Sequence, residues 1–322
     1  MMRIAVTGAT ASGKSDFALQ LARCLRDKRG MKAEIVSCDS VQVYRGFDIG
    51  AAKPVSAELA EFPHHMIDIV TWRDEFDAGR YATLARDVVE QIQARGALPI
   101  IVGGTGLYLR AFFGQGFSGN LPKDGVLREE LDSIQTDTLF SELKRLDPVR
   151  AAQLHANDRV RILRAVELCR LTAGPASSRL QDHGQVTARK TQEREQTHLI
   201  FLNPERAILH ERIASRVRTM LEDGLLEEVR GLLSAGCPAD AKPMQAIGYR
   251  EVVAGLTGSG GSGGSGGDLN PVDLDAMAEQ ITVATRQYAK RQTTWFKGAA
   301  ADQTVGSFAD YKSVIAGLCA LR

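Results

Sequence analysis

The chain has 322 residues, of which 44% are hydrophobic and 25% charged, with 40 basic against 39 acidic side chains and a formal net charge of +1. That length buries a full core and predicts one large domain with a smaller one. The balanced charge excludes a protein that binds polyanions over its whole surface and confines any nucleic-acid role to local clusters. Cys24, Cys38, Cys169, Cys237 and Cys319 are scattered with no Cys-x-x-Cys pair, which fits reduced thiols and neither a disulfide framework nor a zinc site. The first apolar run begins at residue 3, leaving no room for a signal peptide, and no run is long enough to span a bilayer. The expectation is a cytoplasmic protein without membrane contact.

Residues 3–7 read as a strand that leads into Gly8-Ala9-Thr10-Ala11-Ser12-Gly13-Lys14-Ser15, followed by a helix over Lys14–Arg29. This stretch satisfies G-x-x-x-x-G-K-[ST] in its proper strand-then-helix setting. Its glycines let successive amides point at a phosphate, Lys14 adds a charge, and Ser15 offers a hydroxyl to Mg²⁺. The pattern leaves open whether the phosphate belongs to ATP or to another ligand. Further strands are predicted over Ala33–Ser37, 65–70 and 98–102, with a helix over 81–95 between the last two. Strands apolar on both faces and separated by helices predict a P-loop NTPase-like parallel sheet with helices on both faces. Ligands in such sheets bind beyond the carboxyl ends of the strands. Three segments gather there: the glycine loop, Cys38-Asp39-Ser40, and Gly103-Gly104-Thr105.

From 121 to 196 strand signals vanish and helical periodicity dominates, over 126–134, 138–146 and 159–171, which predicts a helical insertion domain. The polar stretch 184–196 is expected to be mobile. A returning strand is predicted over Thr197–Leu202, then helices over 206–221, 225–235, 248–256 and 274–296. The core domain thus comprises 1–120 and 197–322. The Gly/Ser run 258–267 cannot bury anything and reads as a flexible linker, natural or engineered.

Several residues could carry chemistry. Asp39 ends the second strand and is a candidate general base or Mg²⁺ ligand, with a plain turn or capping role as the bland alternative. Thr105 is placed to cap the helix expected over 107–113 or to touch a phosphate. Arg212 and Arg216 share a helix face and could neutralise a departing anion, although such pairs are more often solvated. Arg286, Lys290 and Arg291, with Gln287 nearby, form a basic stripe, and Arg161 and Arg164 with Arg159 form a second patch. Each alone suits a solvated face; the two together with a phosphate cradle suggest RNA. His64-His65 has no acidic or cysteine partner at metal-site spacing and is taken as structural.

Taken in order, these motifs resemble the bacterial tRNA dimethylallyltransferase family. The resemblance rests on Gly8 to Ser15, Asp39-Ser40-Val41-Gln42-Val43-Tyr44, Asp48-Ile49-Gly50-Ala51-Ala52-Lys53-Pro54 and Gly103 to Tyr108. It continues through Asn157-Asp158 with the arginines after it, Gln245-Ala246-Ile247-Gly248-Tyr249-Arg250 and Thr285-Arg286-Gln287-Tyr288-Ala289-Lys290-Arg291-Gln292. It departs at Ala51, usually Thr, at Ala156, often Pro, and at the Gly/Ser run. The resemblance implies that the loop holds the diphosphate of dimethylallyl diphosphate, with Mg²⁺ near Ser15, and that Asp39 takes the proton from the target adenine amine. Thr105 and Arg216 would stabilise the leaving diphosphate. It further implies that Asp39, Ser40, Val41 and Gln42, then Val160, Arg161, Ile162, Leu163 and Arg164, grip the tRNA anticodon arm. Gln245 to Arg250 and Arg286, Gln287, Lys290 and Arg291 would do the same. A monomer with no obligate protein partner follows from the same likeness. A small-molecule or nucleoside kinase would use the same loop and aspartate, but the strand over 98–102 ends in Gly103-Gly104 with no acid. An adenylate isopentenyltransferase would not need the helical insertion.

Overall fold

The computed structural model describes residues 2–114, 122, 124–178, 192–257 and 271–320. The chain opens with β1 (Arg3–Gly8), α1 (Lys14–Arg29), β2 (Ala33–Ser37), α2 (Ser56–Glu61), β3 (His64–His65), α3 (Ala78–Ala94), β4 (Leu98–Gly103) and α4 (Gly106–Phe112). Four helices follow: α5 (Gly125–Ser133), α6 (Thr136–Leu146), α7 (Pro148–Gln153) and α8 (Arg159–Thr172). The remainder is α9 (Gln192–Glu195), β5 (Thr197–Leu202), α10 (Arg206–Glu222), α11 (Leu225–Ser234), α12 (Tyr249–Thr257), α13 (Pro271–Lys297), β6 (Gln303–Val305) and α14 (Tyr311–Ala320). The predicted linker 258–267 and most of the stretch expected to be mobile lie outside the described residues.

Six parallel strands run in the order β3-β2-β4-β1-β5-β6. Because β4 lies between β1 and β2, the direction in which the chain winds across the sheet reverses beside β1, and a crevice opens there at the carboxyl ends. On one face Ile4, Val6, Ile35, Ile100, Ile200 and Leu202 pack beneath Phe17 and Leu21 of α1 and Ile315 and Leu318 of α14. The opposite face is also covered, with Ala5, Val36, Ile101 and Phe201 all buried. This double burial is why these strands are apolar without alternation.

The strand expected over 65–70 shrinks to His64–His65. Met66 and Asp68 take positive φ, 63° and 55°, and turn the chain away, leaving Val70 a single bridge to Tyr44. The two histidines are bound locally: His65 Nε2 lies 2.6 Å from Glu34 and His64 Nδ1 lies 2.8 Å from the Phe62 carbonyl. The sequence also missed α2, α7, α9, β6 and α14, and α9 falls at the end of the stretch 184–196 expected to be mobile. β6 is three residues long and α7 six, too short to show a period.

Two compact units emerge, one of Met1–Phe113 with Lys190–Arg322 and one of Gly114–Arg189. The second is built around its own core of Leu131, Leu139, Leu143, Ile162, Val166 and Leu168. Among the described residues no helix is long and apolar enough to cross a membrane.

Candidate active site at the mouth of the sheet

The loop from Gly8 to Ser15 closes over the end of β1. Gly13 caps α1 in the left-handed region, at φ 80° and ψ 21°, where a side chain would be strained. The amides of Lys14 and Ser15 begin the helix and have no acceptor within it. Ser12 Oγ is buried with no hydrogen-bond partner. A donor set of this kind suits an anion. The Thr10 amide is committed elsewhere: it donates to Gln292 Oε1 at 2.8 Å, while Gln292 Nε2 donates to the Gly104 carbonyl at 2.8 Å. Gln292 therefore ties the loops after β1 and β4 to α13, and it comes so close to Gly104 that a Cβ there would collide with it.

Lys14 Nζ donates to the Ala9 carbonyl at 2.7 Å. Burial and the neighbouring Arg216 guanidinium pull its pKa down to about 7, only partly opposed by Asp39. Burial also lowers the Arg216 pKa, with Asp39 opposing and Arg212 adding to the shift. Two cations thus crowd one carboxylate beside the amide cradle.

Asp39 Oδ1 accepts from the amides of Val41 at 2.8 Å and Gln42 at 3.2 Å. The turn role expected as the bland alternative is present, and it uses one oxygen; Oδ2 takes no hydrogen bond from the described residues. Thr105 stands at the N-cap of α4 but makes no side-chain cap bond, contrary to the capping expectation. Its Oγ1 instead accepts from the Ser40 amide at 3.2 Å. Thr105 lies on neither wall of the two cavities described next, so it reaches the site through the Asp39 turn.

A cavity of about 160 Å³ has polar walls from Thr10, Lys14, Ser15, Asp39, Arg216 and Gln292 and apolar walls from Leu19, Ile35, Ile67 and Val102. A second, of about 340 Å³, is lined by Ser40, Val41, Gln245, Ala246, Ile247, Gly248, Arg250 and Arg291. The two share Thr10, Asp39, Ala51, Arg216 and Tyr288 as common wall.

Tyr249, expected beside the RNA, is instead fully buried. Its hydroxyl donates to Glu228 at 2.6 Å, and its ring lies 5.0 Å from that of Phe47. Glu228 also accepts from the amides of Asp48 and Ile49 at 3.0 and 2.8 Å, fixing the loop whose Ala51 and Ala52 carbonyls accept from Gln42 Nε2. On α13, Gln287, Lys290 and Arg291 are exposed and Arg286 is half-buried with its Nε unpartnered. Tyr288 and Gln292, four residues apart, face the cradle. The resemblance placed both in the run from 286 to 293 expected to grip the RNA, and neither was singled out for the cradle; their signal was the helical i, i+4 spacing on the side away from the basic stripe.

In the helical unit Ile162 and Leu163 are buried in its core, so their side chains are not available to RNA. Val160 and Arg161 are exposed, the latter paired with Asp158 at 2.8 Å. Arg164 binds the fully buried Glu167 at 2.6 Å, and Arg159 donates to the carbonyls of Ile134 and Asp132 at 2.7 and 2.6 Å.

Residues 42–299 match the family model described as IPP transferase. A relative from Geobacter metallireducens named tRNA dimethylallyltransferase is 42% identical over 298 residues, covering 91% of this chain and 89% of its own. The crystal structure of the full-length tRNA isopentenylpyrophosphate transferase of Bacillus halodurans aligns with a TM-score of 0.66 at 33% identity, over 99% of this chain and 94% of its own. A eukaryotic dimethylallyltransferase, crystallised acting on tRNA, aligns with a TM-score of 0.75 at 27% identity, over 97% of this chain and 75% of its own.

Proposed function

This chain belongs to the IPP transferase family, and from that premise we propose that it transfers a dimethylallyl group from dimethylallyl diphosphate to N6 of the adenine 3′-adjacent to the anticodon in tRNA. One observation supports this above the others: Asp39 and Arg216 stand on the wall common to both cavities. The first cavity adjoins the amide cradle and has room for a short apolar group. The second has a mixed wall, with Ser40, Gln245 and Arg250 beside the apolar side chains of Val41, Ile213, Val217 and Met220, which suits the edge and the face of a base.

In the reaction the N6 lone pair attacks C1 of the dimethylallyl group, and the C1–O bond breaks with its electron pair leaving on the diphosphate. The amine is a weak nucleophile because its lone pair is delocalised into the ring. Asp39 Oδ2 accepts the N6 proton, a role worth about 10²–10⁴ in rate. Lys14, Arg216 and the amides at the start of α1 meet the charge that grows on the leaving group, fixed in place beforehand. The adenine must leave its stack to reach them. Thr105 and Gln42 hold the Asp39 turn.

Among the described residues no three His, Cys, Asp or Glu side chains cluster as a metal cage. Mg²⁺ bound mainly through phosphate and water needs no such cage, and the exposed Ser15 hydroxyl on the cavity wall fits one protein ligand. Bound there, the ion would add positive charge to the leaving diphosphate. The deciding assay mixes the protein with unmodified tRNA and either labelled dimethylallyl diphosphate or γ-labelled ATP. Prenyl label in tRNA is expected. Label passing from ATP to a small acceptor would establish a kinase instead.

A further inference from the structure

We infer that Tyr311, with Phe308 and Arg212, is a positioning residue for the phosphate loop, holding its carbonyls outward so that its amides can face an anion. The inference rests on the reading above that this loop takes the donor diphosphate. Both the loop and the segment from 303 to 320 lie outside the residues 42–299 that match the family model.

Ala11 sits in the left-handed region at φ 61° although it is not glycine, a conformation in which its Cβ crowds the backbone. Such strain persists only where the surroundings fix it. Here the Ala11 carbonyl accepts from Arg212 Nε at 2.9 Å and the Ser12 carbonyl accepts from the Tyr311 hydroxyl at 2.6 Å. The Arg212 guanidinium lies 4.5 Å over the Phe308 ring, which is 5.0 Å from the ring of Tyr311, itself 5.3 Å from Phe17 of α1. The same two rings stand against Gly13, where a Cβ would meet Phe308 at 3.0 Å and Tyr311 at 3.4 Å. Tyr311 is buried, and that burial pushes its pKa up, so it donates throughout the working range. Asn203 after β5 donates to the Val305 carbonyl at 2.9 Å, pinning β6 just ahead of this segment.

A carbonyl released from these donors has two fates, to remain buried without a partner or to turn into the cradle. The second repels phosphate. Tyr311→Phe removes only the hydroxyl and keeps every ring contact. We expect the Kd for inorganic pyrophosphate and the KM for dimethylallyl diphosphate to rise about fivefold, the effect of one lost hydrogen bond. The kcat at saturating donor and the KM for tRNA should hold, and the melting temperature should fall only by the few degrees that one lost hydrogen bond costs. An unchanged pyrophosphate Kd, or a parallel change in kcat and the tRNA KM, overturns the positioning role. Failure of the wild-type protein to bind pyrophosphate overturns the underlying reading of the loop, and with it this inference.

Discussion

The arginines of the helical unit and Arg216 at the mouth of the sheet stand in opposite states. In the helical unit Arg159, Arg161, Arg164 and Arg170 each bind a carbonyl or carboxylate of the same unit, and Arg170 joins Glu130 and Glu142 at 2.9 Å each. At the mouth of the sheet, Arg216 and Lys14 are packed beside each other, with their pKa values lowered and Asp39 as the opposing charge. A cation matched within its own unit stabilises the fold. A cation crowded against its like is poised for an anion from outside. In sequence the arginines around Arg159 and the pair Arg212 and Arg216 both read as basic residues at one-turn spacing, and the matching in space is what separates Arg216 from them.

The comparison can be broken most sharply at Asp39. Asp39→Ala should lower the single-turnover rate of prenyl transfer about 10²–10⁴-fold, while tRNA affinity stays within a few-fold. Lost binding with an intact rate would remove the carboxylate from the chemistry. In the other unit, Arg164→Ala leaves the fully buried Glu167 with only the long, 3.4 Å bond from the Asp124 amide among the described residues. It should destabilise that unit by about 3 kcal/mol, at the low end for a broken buried pair because Arg164 is itself 20% exposed. Thermal melting followed by circular dichroism checks this, and an unmoved transition would mean the pairing is idle.

Lys14→Met should weaken pyrophosphate binding about 10–100-fold, as expected for a lost charge-assisted hydrogen bond. The pH dependence sharpens the point. The free amine titrates at about 7, and a bound anion raises that value. Below pH 7 the amine is charged before binding, whereas above it binding must take up a proton. Calorimetric titrations should therefore show the advantage of wild type over Lys14→Met greatest below pH 7 and shrinking as pH rises. An advantage independent of pH would sink the assignment. The smallest effect is expected on α13: Arg286→Ala with Lys290→Ala should weaken tRNA binding several-fold and flatten the salt slope by about 1.5, as for two lost phosphate contacts. An unaltered slope takes that helix out of the RNA interface.

Much of the site was legible because its signals are local. The boundaries of α1 follow from Gly13, Lys14 and Gly30, and Asp39 announces itself by following an apolar strand that ends at Ser37. Gln292 and Tyr249 were not legible in their actual places, since a buried glutamine bridging residues 10 and 104 and a tyrosine held by Glu228 depend on partners far along the chain. The truncation of β3 was hidden for another reason: its apolar residues fit a strand, and only the left-handed turns at Met66 and Asp68 break it.

By itself the sequence determined the glycine loop and the parallel α/β order, because spacing along one strand or helix fixes which side chains and amides share a face, and its ordered motifs carried the resemblance to the family. Only the tertiary structure decided which cations are already neutralised and which face the cradle. Pairing depends on the distance in space between residues such as Arg216, Lys14 and Asp39, and separation along the chain does not encode that distance.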